Sequence, residues 1–299
     1  MIEDLKTKKG FIAAMDQSGG SSKKTLANYG VDERLITSDE VMFDYIHEMR
    51  SRIISNDAFN SDSIIGAILF YDTMKRNIDG INTVEYLKNK GIYAFLKIDV
   101  GLEDDVGLED ECDGVRILKD IPALDEVLDE AVSYGVIGTK MRSVINEYNE
   151  YGIKKVVEQQ FKLARQIIAK GLIPIIEPEV SIDAKNKKLI ESFLRQELLK
   201  NLYKLKKEDY VIIKLTLPDV PNYYNPLLTP KNVLRLVALS GGYSREVACE
   251  KLRENKKMIA SFSRALLEGL SINQSDEEFS DALSKSIKEI YKASVTKKR

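Results

Sequence analysis

Charged side chains follow a series of short apolar runs in this sequence, and their types are those of a catalytic site. Lysines among carboxylates suit imine-forming catalysis, because a lysine with its ordinary pKa of about 10.4 must lose a proton before it can act as a nucleophile. We expect clustered cations and partial burial to lower lysine pKa values in such a site. The candidates are Asp16, Lys97, Lys140 with Arg142, Glu177 with Glu179, Lys214, the tripeptide Ser240-Gly241-Gly242, and Arg264.

Two of these candidates indicate phosphate recognition. The glycines of Ser240-Gly241-Gly242 let backbone N–H groups approach an anion closely. The guanidinium of Arg264 can bind a phosphate group through two parallel hydrogen bonds. We therefore expect these residues to hold a phosphorylated substrate.

Eight apolar runs precede the candidates and should position them. They are rich in Ile, Val, Leu and Phe with little alternation, which is typical of strands buried on both faces of a parallel sheet. Amphipathic stretches separate them, and eight such units over about 250 residues predict an α/β fold, a single (β/α)8 TIM barrel formed by residues 1–299. The runs are residues 10–15, 64–70, 92–98, 135–140, 172–177, 210–215, 233–239 and 258–262.

An open doubly wound sheet is the alternative fold. Such a sheet usually has a G-x-G-x-x-G turn after its first strand, whereas the sequence there reads Asp16-Gln-Ser-Gly-Gly-Ser. In a barrel the carboxyl ends of the strands meet at one face, where active sites of this fold lie. The candidates are therefore expected to converge.

Three of the separating stretches carry helix signals. The pattern Thr37-x-x-Glu40 predicts the start of a helix over residues 38–54, and Ser275-x-x-Glu278 predicts the start of the last helix. Residues 156–170 place Val156, Gln160, Leu163 and Ile167 on one mainly apolar stripe.

Composition excludes several classes of function. The chain has 299 residues, with 45 Lys and Arg against 47 Asp and Glu, so it lacks the basic excess of a dedicated nucleic-acid binder. One histidine, His47, and two cysteines, Cys112 and Cys249, are too few for an ordinary catalytic zinc site, and we expect no metal and no cofactor. The cysteines are expected to be reduced thiols. No signal peptide or membrane span is visible, so we expect a cytoplasmic protein without membrane or nucleic-acid partners.

Several motifs together carry a resemblance to a known family. They extend from about Gly10 to Tyr291, and the chain resembles class I fructose-bisphosphate aldolase in its shorter bacterial form. The resemblance implies a TIM barrel that reversibly cleaves fructose 1,6-bisphosphate to dihydroxyacetone phosphate and glyceraldehyde 3-phosphate. The motifs are GFIAAMDQSGG, GAILFYDTM, FLKID, GTKMRS, PIIEPEV, IIKLT, LSGGYS and SFSRAL.

The resemblance also implies roles for individual residues. Lys214 in IIKLT corresponds to the Schiff-base lysine, and Glu177 in EPE to the general acid and base of imine chemistry. Asp16 would orient Lys214 and the substrate hydroxyl groups. The remaining implied roles are positive charge from Lys140, Lys97 and Arg142, and phosphate binding by Ser240, Gly241 and Arg264.

The sequence departs from the family pattern in three places. Val100 follows FLKID where the family often has lysine, and Thr25 follows Lys24 where many members have arginine. The chain ends in Lys-Lys-Arg rather than in the functional tyrosine of larger relatives, while Tyr291 lies in a helix pattern. The contacts to a second phosphate and the role of that tyrosine are left open.

Alternatives to this function remain. A related Schiff-base barrel could act on another phosphosugar, such as tagatose bisphosphate, and a phosphosugar-binding barrel without catalysis would keep only the phosphate site. The acidic segment 101–114 lacks the order of a calcium loop and is expected to be a solvated loop. The expected partner is a small phosphosugar, and a homo-oligomer is possible.

Overall fold

The fold is built on short parallel strands. The structure is a computed structural model, and it describes residues 1–18, 20–103 and 113–298. The strands within these ranges are β1 (Phe11–Met15), β2 (Ile64–Leu69), β3 (Asn77–Ile78), β4 (Ile81–Asn82), β5 (Tyr93–Lys97), β6 (Val115–Arg116), β7 (Gly138–Ile145), β8 (Ile173–Val180), β9 (Val211–Thr216), β10 (Val233–Leu239) and β11 (Met258–Ala260).

Eight of these strands form one parallel sheet in the order β1-β2-β5-β7-β8-β9-β10-β11. The two ends of the sheet meet, because the Ala14 N–H donates to the Phe262 carbonyl, which follows β11, at 3.2 Å. The predicted (β/α)8 TIM barrel is therefore confirmed. The short strand β6 pairs antiparallel with the end of β7, and β3 and β4 form a separate hairpin.

Helices connect the strands and cover the outside of the sheet. Their bounds are α1 (Ile2–Thr7), α2 (Gly20–Tyr29), α3 (Asp39–Ser55), α4 (Tyr71–Lys75), α5 (Thr83–Asn89), α6 (Leu124–Tyr134), α7 (Glu150–Ala169), α8 (Lys187–Leu202), α9 (Arg245–Glu254), α10 (Arg264–Leu267) and α11 (Asp276–Val295). None of the helices in the described part of the chain has both the length and the apolar character of a membrane span.

The helix starts agree in part with the sequence patterns. Ser275 and Glu278 form the predicted capping box of α11, with both reciprocal hydrogen bonds present. The predicted start at Thr37 is wrong by one residue, because the side chain of Ser38 accepts the Val41 N–H and caps α3. Serine and threonine cap helices by the same bond, so the sequence alone does not choose between neighbours.

Two central strands are longer than predicted. The predicted runs end at residues 140 and 177, whereas β7 continues to Ile145 and β8 to Val180. Pairing is continuous over this extension, from Gly138↔Ile173 to Ile145↔Val180. The extensions contain polar and charged residues, and the two apolar runs end at Lys140 and Glu177. An apolar run therefore predicts only the first part of each of these strands.

The barrel interior is filled by apolar side chains at its centre. Phe95 on β5 is fully buried there, against glycines on both neighbouring strands. A Cβ atom at Gly66 would lie 2.9 Å from the Phe95 ring, and one at Gly138 would lie 2.8 Å from it. These two positions must be glycine for the ring to fit, since such contacts are shorter than packed carbon atoms allow.

The amino-terminal end of the barrel is closed by α1. Leu5 of this helix packs into the interior cluster. Arg235 on β10 donates from Nε to the Leu5 carbonyl at 2.7 Å and from Nη2 to the Lys8 carbonyl at 3.1 Å. A site that admits substrate must therefore open at the opposite end, where the strands finish.

Candidate active site

A cavity of about 590 Å³ opens at the carboxyl ends of the strands. Seven basic and four acidic side chains of the described residues line it, a balance that favours an anionic ligand. The expected convergence is therefore present for every candidate except Gly242. The charged lining residues are Lys24, Lys97, Arg116, Lys140, Arg142, Lys214 and Arg264 with Asp16, Asp99, Glu177 and Glu179.

Lys140 lies at the centre of the charged cluster. Its Nζ atom is 2.7 Å from Asp16 Oδ2, 3.3 Å from Glu177 Oε2 and 3.6 Å from Asp99 Oδ2, and the residue is only 2% exposed. Burial alone would lower the pKa of Lys140, but the three carboxylates outweigh it and raise this pKa above its ordinary value. The expectation that clustering lowers lysine pKa values is therefore wrong for Lys140, because its nearest neighbours are anions.

Lys214 has a different environment on the neighbouring strand β9. Its Nζ atom lies 3.1 Å from Glu177 Oε1, and the residue is 3% exposed. Among the described residues, Glu177 is the one carboxylate within ion-pair distance of this lysine, whereas Lys140 has three. Of these two neighbouring lysines, Lys214 has fewer carboxylate partners, and its single partner can exchange a proton with it, so it is the better placed to act as a nucleophile.

Asp16 lies at the end of β1 beside both lysines. Burial would raise the pKa of its carboxyl group, but Lys140 and Lys214 outweigh burial and hold this pKa well below its usual range. Asp16 is therefore an anion at neutral pH, and its oxygens can accept hydrogen bonds from substrate hydroxyl groups.

The outer cations of the cluster are held by their own carboxylates. Lys97 pairs with Asp99 Oδ1 at 2.7 Å and also donates to the Asp99 carbonyl. Arg142 Nε donates to Glu179 Oε2 at 2.5 Å, and its N–H donates to Asp99 Oδ2 at 3.2 Å. Burial lowers the pKa of Arg142, but Glu179 outweighs burial and raises it. These pairs fix charged groups around the cavity before any ligand binds.

The loop after β10 forms one wall of the cavity. Ser240 and Gly241 line it, and Gly241 has the left-handed φ of +64°. A Cβ atom at Gly241 would lie 2.7 Å from Ile182 Cγ2. Gly242 does not line the cavity, but a Cβ atom there would lie 3.6 Å from Nη1 of Arg264, so the loop passes close to this guanidinium. The glycines thus bring backbone amides close to Arg264.

Gln160 on α7 supports the site from behind, a function that sequence reasoning did not assign. It is fully buried, and its Oε1 accepts the N–H of Glu177 at 2.9 Å. Its Nε2 donates to Ser143 Oγ on β7 at 2.9 Å. The amide therefore ties the two strands that carry Lys140 and Glu177. Its place as the polar residue on an otherwise apolar stripe is the signal that could have found it.

Other residues named from the sequence lie away from the cavity lining. His47 is half-buried on α3, where its Nε2 is 2.9 Å from the Asn77 carbonyl. Cys249 is a free, buried thiol on α9, and Cys112 lies outside the described residues. Tyr291 lies within α11. Residues 104–112 of the acidic segment also lie outside the described residues, and elsewhere in the described chain no cluster of potential metal ligands occurs.

Comparisons with known proteins agree with this architecture. A solved structure of fructose-bisphosphate aldolase from Plasmodium falciparum, in complex with TRAP and a small-molecule inhibitor, superposes with a TM-score of 0.75 at 19% identity over 100% of this chain and 94% of that chain. The protein Cgl0159 from Corynebacterium glutamicum superposes with a TM-score of 0.54 at 13% identity over 98% of this chain and 91% of that one. These structures share the fold.

The family comparison covers most of the chain. The model of the family described as fructose-bisphosphate aldolase class-I matches residues 3–222. This range includes the strands that carry Asp16, Lys97, Lys140, Glu177 and Lys214. By this match, the chain belongs to the class-I fructose-bisphosphate aldolase family, whose members are lyases.

Proposed function

We propose that this protein is a class I fructose-bisphosphate aldolase. It reversibly cleaves fructose 1,6-bisphosphate to dihydroxyacetone phosphate and glyceraldehyde 3-phosphate through an imine on Lys214, in glycolysis and gluconeogenesis. The observation that carries the proposal is the 3.1 Å approach of Lys214 Nζ to Glu177 Oε1, next to a second lysine held by three carboxylates.

The first stage is imine formation. The neutral amine of Lys214 attacks the C2 ketone and forms a carbinolamine. Glu177 protonates the C2 hydroxyl group, which leaves as water, and a protonated imine remains. Glu177 suits this role because its carboxyl group is buried within hydrogen-bonding distance of the lysine nitrogen, as proton transfer requires.

The second stage is cleavage of the C3–C4 bond. Asp16 accepts the proton of the C4 hydroxyl group, the C4 oxygen forms a carbonyl, and the electron pair of the C3–C4 bond moves into the imine. The aldehyde leaves, and the enamine that remains is protonated at C3 and hydrolysed by water to release the ketone. Lys140 stays charged throughout and stabilises negative charge at the reacting oxygens.

The cavity charges support a phosphorylated substrate. Arg264 and the loop Ser240-Gly241 lie on one side of the cavity, and Lys24 lies on its lining near the loop after β1. Cation pairs with phosphate oxygens are strong because both groups are charged. Fructose and tagatose bisphosphates differ at one hydroxyl group, so kcat/KM on both sugars is the comparison that assigns the substrate.

Trapping of the imine tests the proposal. The protein is incubated with dihydroxyacetone phosphate, reduced with borohydride, digested and examined by mass spectrometry. We expect a reduced adduct on Lys214 and none in Lys214→Met. An adduct on Lys140 would overturn the assignment of the nucleophile. Absence of any adduct, with cleavage abolished by a chelator, would overturn the imine mechanism, and absence of both adduct and activity would favour a phosphosugar-binding protein.

A further inference from the structure

Arg50 is a fully buried cation beneath the cavity. It lies on α3, is 0% exposed, and is among the largest fully buried side chains of the described chain. No carboxylate of the described residues lies within ion-pair distance of it, and its Nε–H is buried without a hydrogen-bond partner there. Burial lowers the pKa of Arg50 to about 10, so it remains charged at neutral pH. Burying such a charge is costly, which calls for a functional reason.

The guanidinium of Arg50 connects the helix α4 to the loop that follows β1. Nη1 donates to Thr73 Oγ1 at 2.6 Å, just after β2. Nη2 donates to the carbonyl of Gln17 at 2.6 Å and to its Oε1 at 3.2 Å. Gln17 is 8% exposed and directly follows Asp16 at the end of β1. Arg50 therefore fixes both the backbone and the side chain of Gln17.

The amide of Gln17 then has only one orientation available. Because Oε1 accepts from Arg50, Nε2 points the other way and donates to Ser263 Oγ at 2.5 Å and to the Ala14 carbonyl at 3.4 Å. Reversing the amide would set its NH₂ group against the guanidinium, donor against donor. The charge of Arg50 thus dictates which atom of Gln17 meets Ser263.

Ser263 consequently has its hydroxyl proton available. Its Oγ accepts from Gln17, and within the described residues that hydroxyl donates no hydrogen bond. Ser263 lines the cavity next to Arg264, with Gln17 and Ser18 on the same lining. A hydroxyl group that accepts from a buried amide and faces a basic cavity is a donor for an anion.

We propose that Arg50 is a positioning residue that acts through Gln17 to turn the Ser263 hydroxyl toward the cavity, where it donates to the substrate phosphate beside Arg264. This inference rests on the proposed function for the identity of the ligand. It assigns Ser263 to phosphate binding and assigns Gln17 and Arg50 to orienting it.

Binding of inorganic phosphate and of dihydroxyacetone phosphate, measured by calorimetry, tests the relay. We expect Ser263→Ala to weaken phosphate binding about tenfold or more, the usual effect of losing a hydrogen bond to a charged group. Ser263→Thr keeps the hydroxyl group and should bind within a few-fold of the wild type. Gln17→Met should weaken binding similarly, and the double variant Gln17→Met/Ser263→Ala should bind no more weakly than the weaker single variant.

Arg235 provides a matched control for Arg50. Burial also lowers the pKa of Arg235 to about 10, but its hydrogen bonds go to carbonyls at the closed end of the barrel. Arg50→Met should weaken phosphate binding, whereas Arg235→Met should leave it unchanged although both variants lose stability. Arg50→Lys should behave like Arg50→Met, because an ammonium group cannot provide the forked contact to Gln17.

The outcomes separate this inference from the proposed function. Unchanged phosphate affinity in Ser263→Ala, or fully additive losses in the double variant, would overturn the relay. If Arg50→Met fails to fold, the Gln17 and Ser263 variants still test whether these two residues act together in phosphate binding. A wild-type protein that binds phosphate but yields no borohydride adduct would contradict the imine mechanism while leaving the relay measurable. A wild-type protein that does not bind phosphate would overturn the relay itself.

Discussion

Glu177 places one carboxylate oxygen 3.1 Å from Lys214 Nζ and the other 3.3 Å from Lys140 Nζ. A single buried carboxylate therefore bridges the two central lysines. Asp16 and Asp99 hold the charge of Lys140, so Glu177 can exchange a proton with Lys214 or with substrate while a cation remains beside it. This arrangement separates the nucleophile from the electrostatic stabiliser although both are lysines.

Replacing Glu177 by glutamine should slow imine formation. Glu177→Gln preserves the size of the buried side chain but cannot protonate the departing hydroxyl group, and general acid–base catalysis contributes roughly 10²- to 10⁴-fold. The rate of borohydride-trappable imine on Lys214, followed by rapid quenching, is the measurement. Glu179→Gln is the control, since Glu179 pairs with Arg142 rather than with either central lysine, and it should slow imine formation much less than Glu177→Gln does. A Glu177→Gln rate equal to the wild-type rate would move the acid role to another carboxylate.

Removing the Gln160 amide should cost stability and disturb Glu177. Gln160→Leu leaves the Glu177 N–H and Ser143 Oγ without these partners, and each buried polar group left unsatisfied costs about 1–3 kcal/mol. Urea unfolding gives the loss of free energy of unfolding, and kcat on a phosphosugar should fall more than KM rises.

Gln159→Leu is the matched control for this change. Gln159 also makes two hydrogen bonds, but both go to the backbone of Leu118, at 2.9 Å each. This variant should lose stability with little change in kcat. Equal effects of the two variants on kcat would mean that Gln160 contributes to stability alone.

The strands could be predicted from sequence because buried parallel strands leave continuous apolar runs, as at residues 233–239, where prediction and structure coincide. The carboxyl-terminal ends of β7 and β8 could not be predicted in this way. They depend on pairing between strands distant in sequence and on β6, which pairs Val115 with Ile145. The hydrophobic pattern of a single run does not identify which distant strand pairs with its end.

The same distinction holds for the site. Residue types and barrel topology suffice to bring Asp16, Lys140, Glu177 and Lys214 into one cavity. Residue types and topology do not predict whether the pKa of Lys140 is raised or lowered, because the direction of the shift depends on the distances from its Nζ atom to three carboxylates. The buried position of Arg50 could not be predicted for a related reason. The sequence assigns an arginine in an amphipathic helix to the solvent-exposed face, and only the structure shows that it is buried.

Cys249 should be unreactive in the native protein. It is 2% exposed, and burial raises the pKa of its thiol to about 11. Because the thiolate is the reactive form, alkylation by iodoacetamide at pH 8 should be slow in buffer and fast in denaturant. A Cys112→Ser background isolates the signal from Cys249. Fast labelling of the native protein would contradict the burial of this thiol.

The same pKa shift predicts a pH dependence of stability. The unfolded thiol titrates near pH ~8.5, below the native value of about 11. The stabilising contribution of Cys249 is therefore fully present below the unfolded pKa and is lost as pH rises through the native pKa. In this window the free energy of unfolding of the wild type should fall, relative to Cys249→Ala, by at most about 1.4 kcal/mol per pH unit. Urea unfolding of both proteins between pH 8 and pH 11, measured in the Cys112→Ser background, checks the slope.

A glycine at position 241 should be required both for the left-handed backbone conformation there and for phosphate affinity. In Gly241→Ala the new Cβ atom would lie 2.7 Å from Ile182 Cγ2 at a φ of +64°, so the loop must shift away from Ile182 or remain strained, and either change displaces the backbone amides that line the cavity. A left-handed conformation costs a non-glycine residue about 1–2 kcal/mol, and the contact adds to that cost. We expect binding of inorganic phosphate, measured by calorimetry, to weaken about tenfold.

Gly171→Ala is the control that separates conformation from contact. Gly171 has a φ of +79°, a Cβ atom added there would meet no described atom within 4 Å, and the residue follows the end of α7. This variant should lose a similar 1–2 kcal/mol of stability, about the cost of the left-handed conformation, and keep wild-type phosphate affinity. Adding Ile182→Ala to Gly241→Ala removes the contact but not the strain, so it should recover part of the affinity. If Gly241→Ala alone bound phosphate as tightly as Gly171→Ala, the loop after β10 would not contribute to the phosphate site.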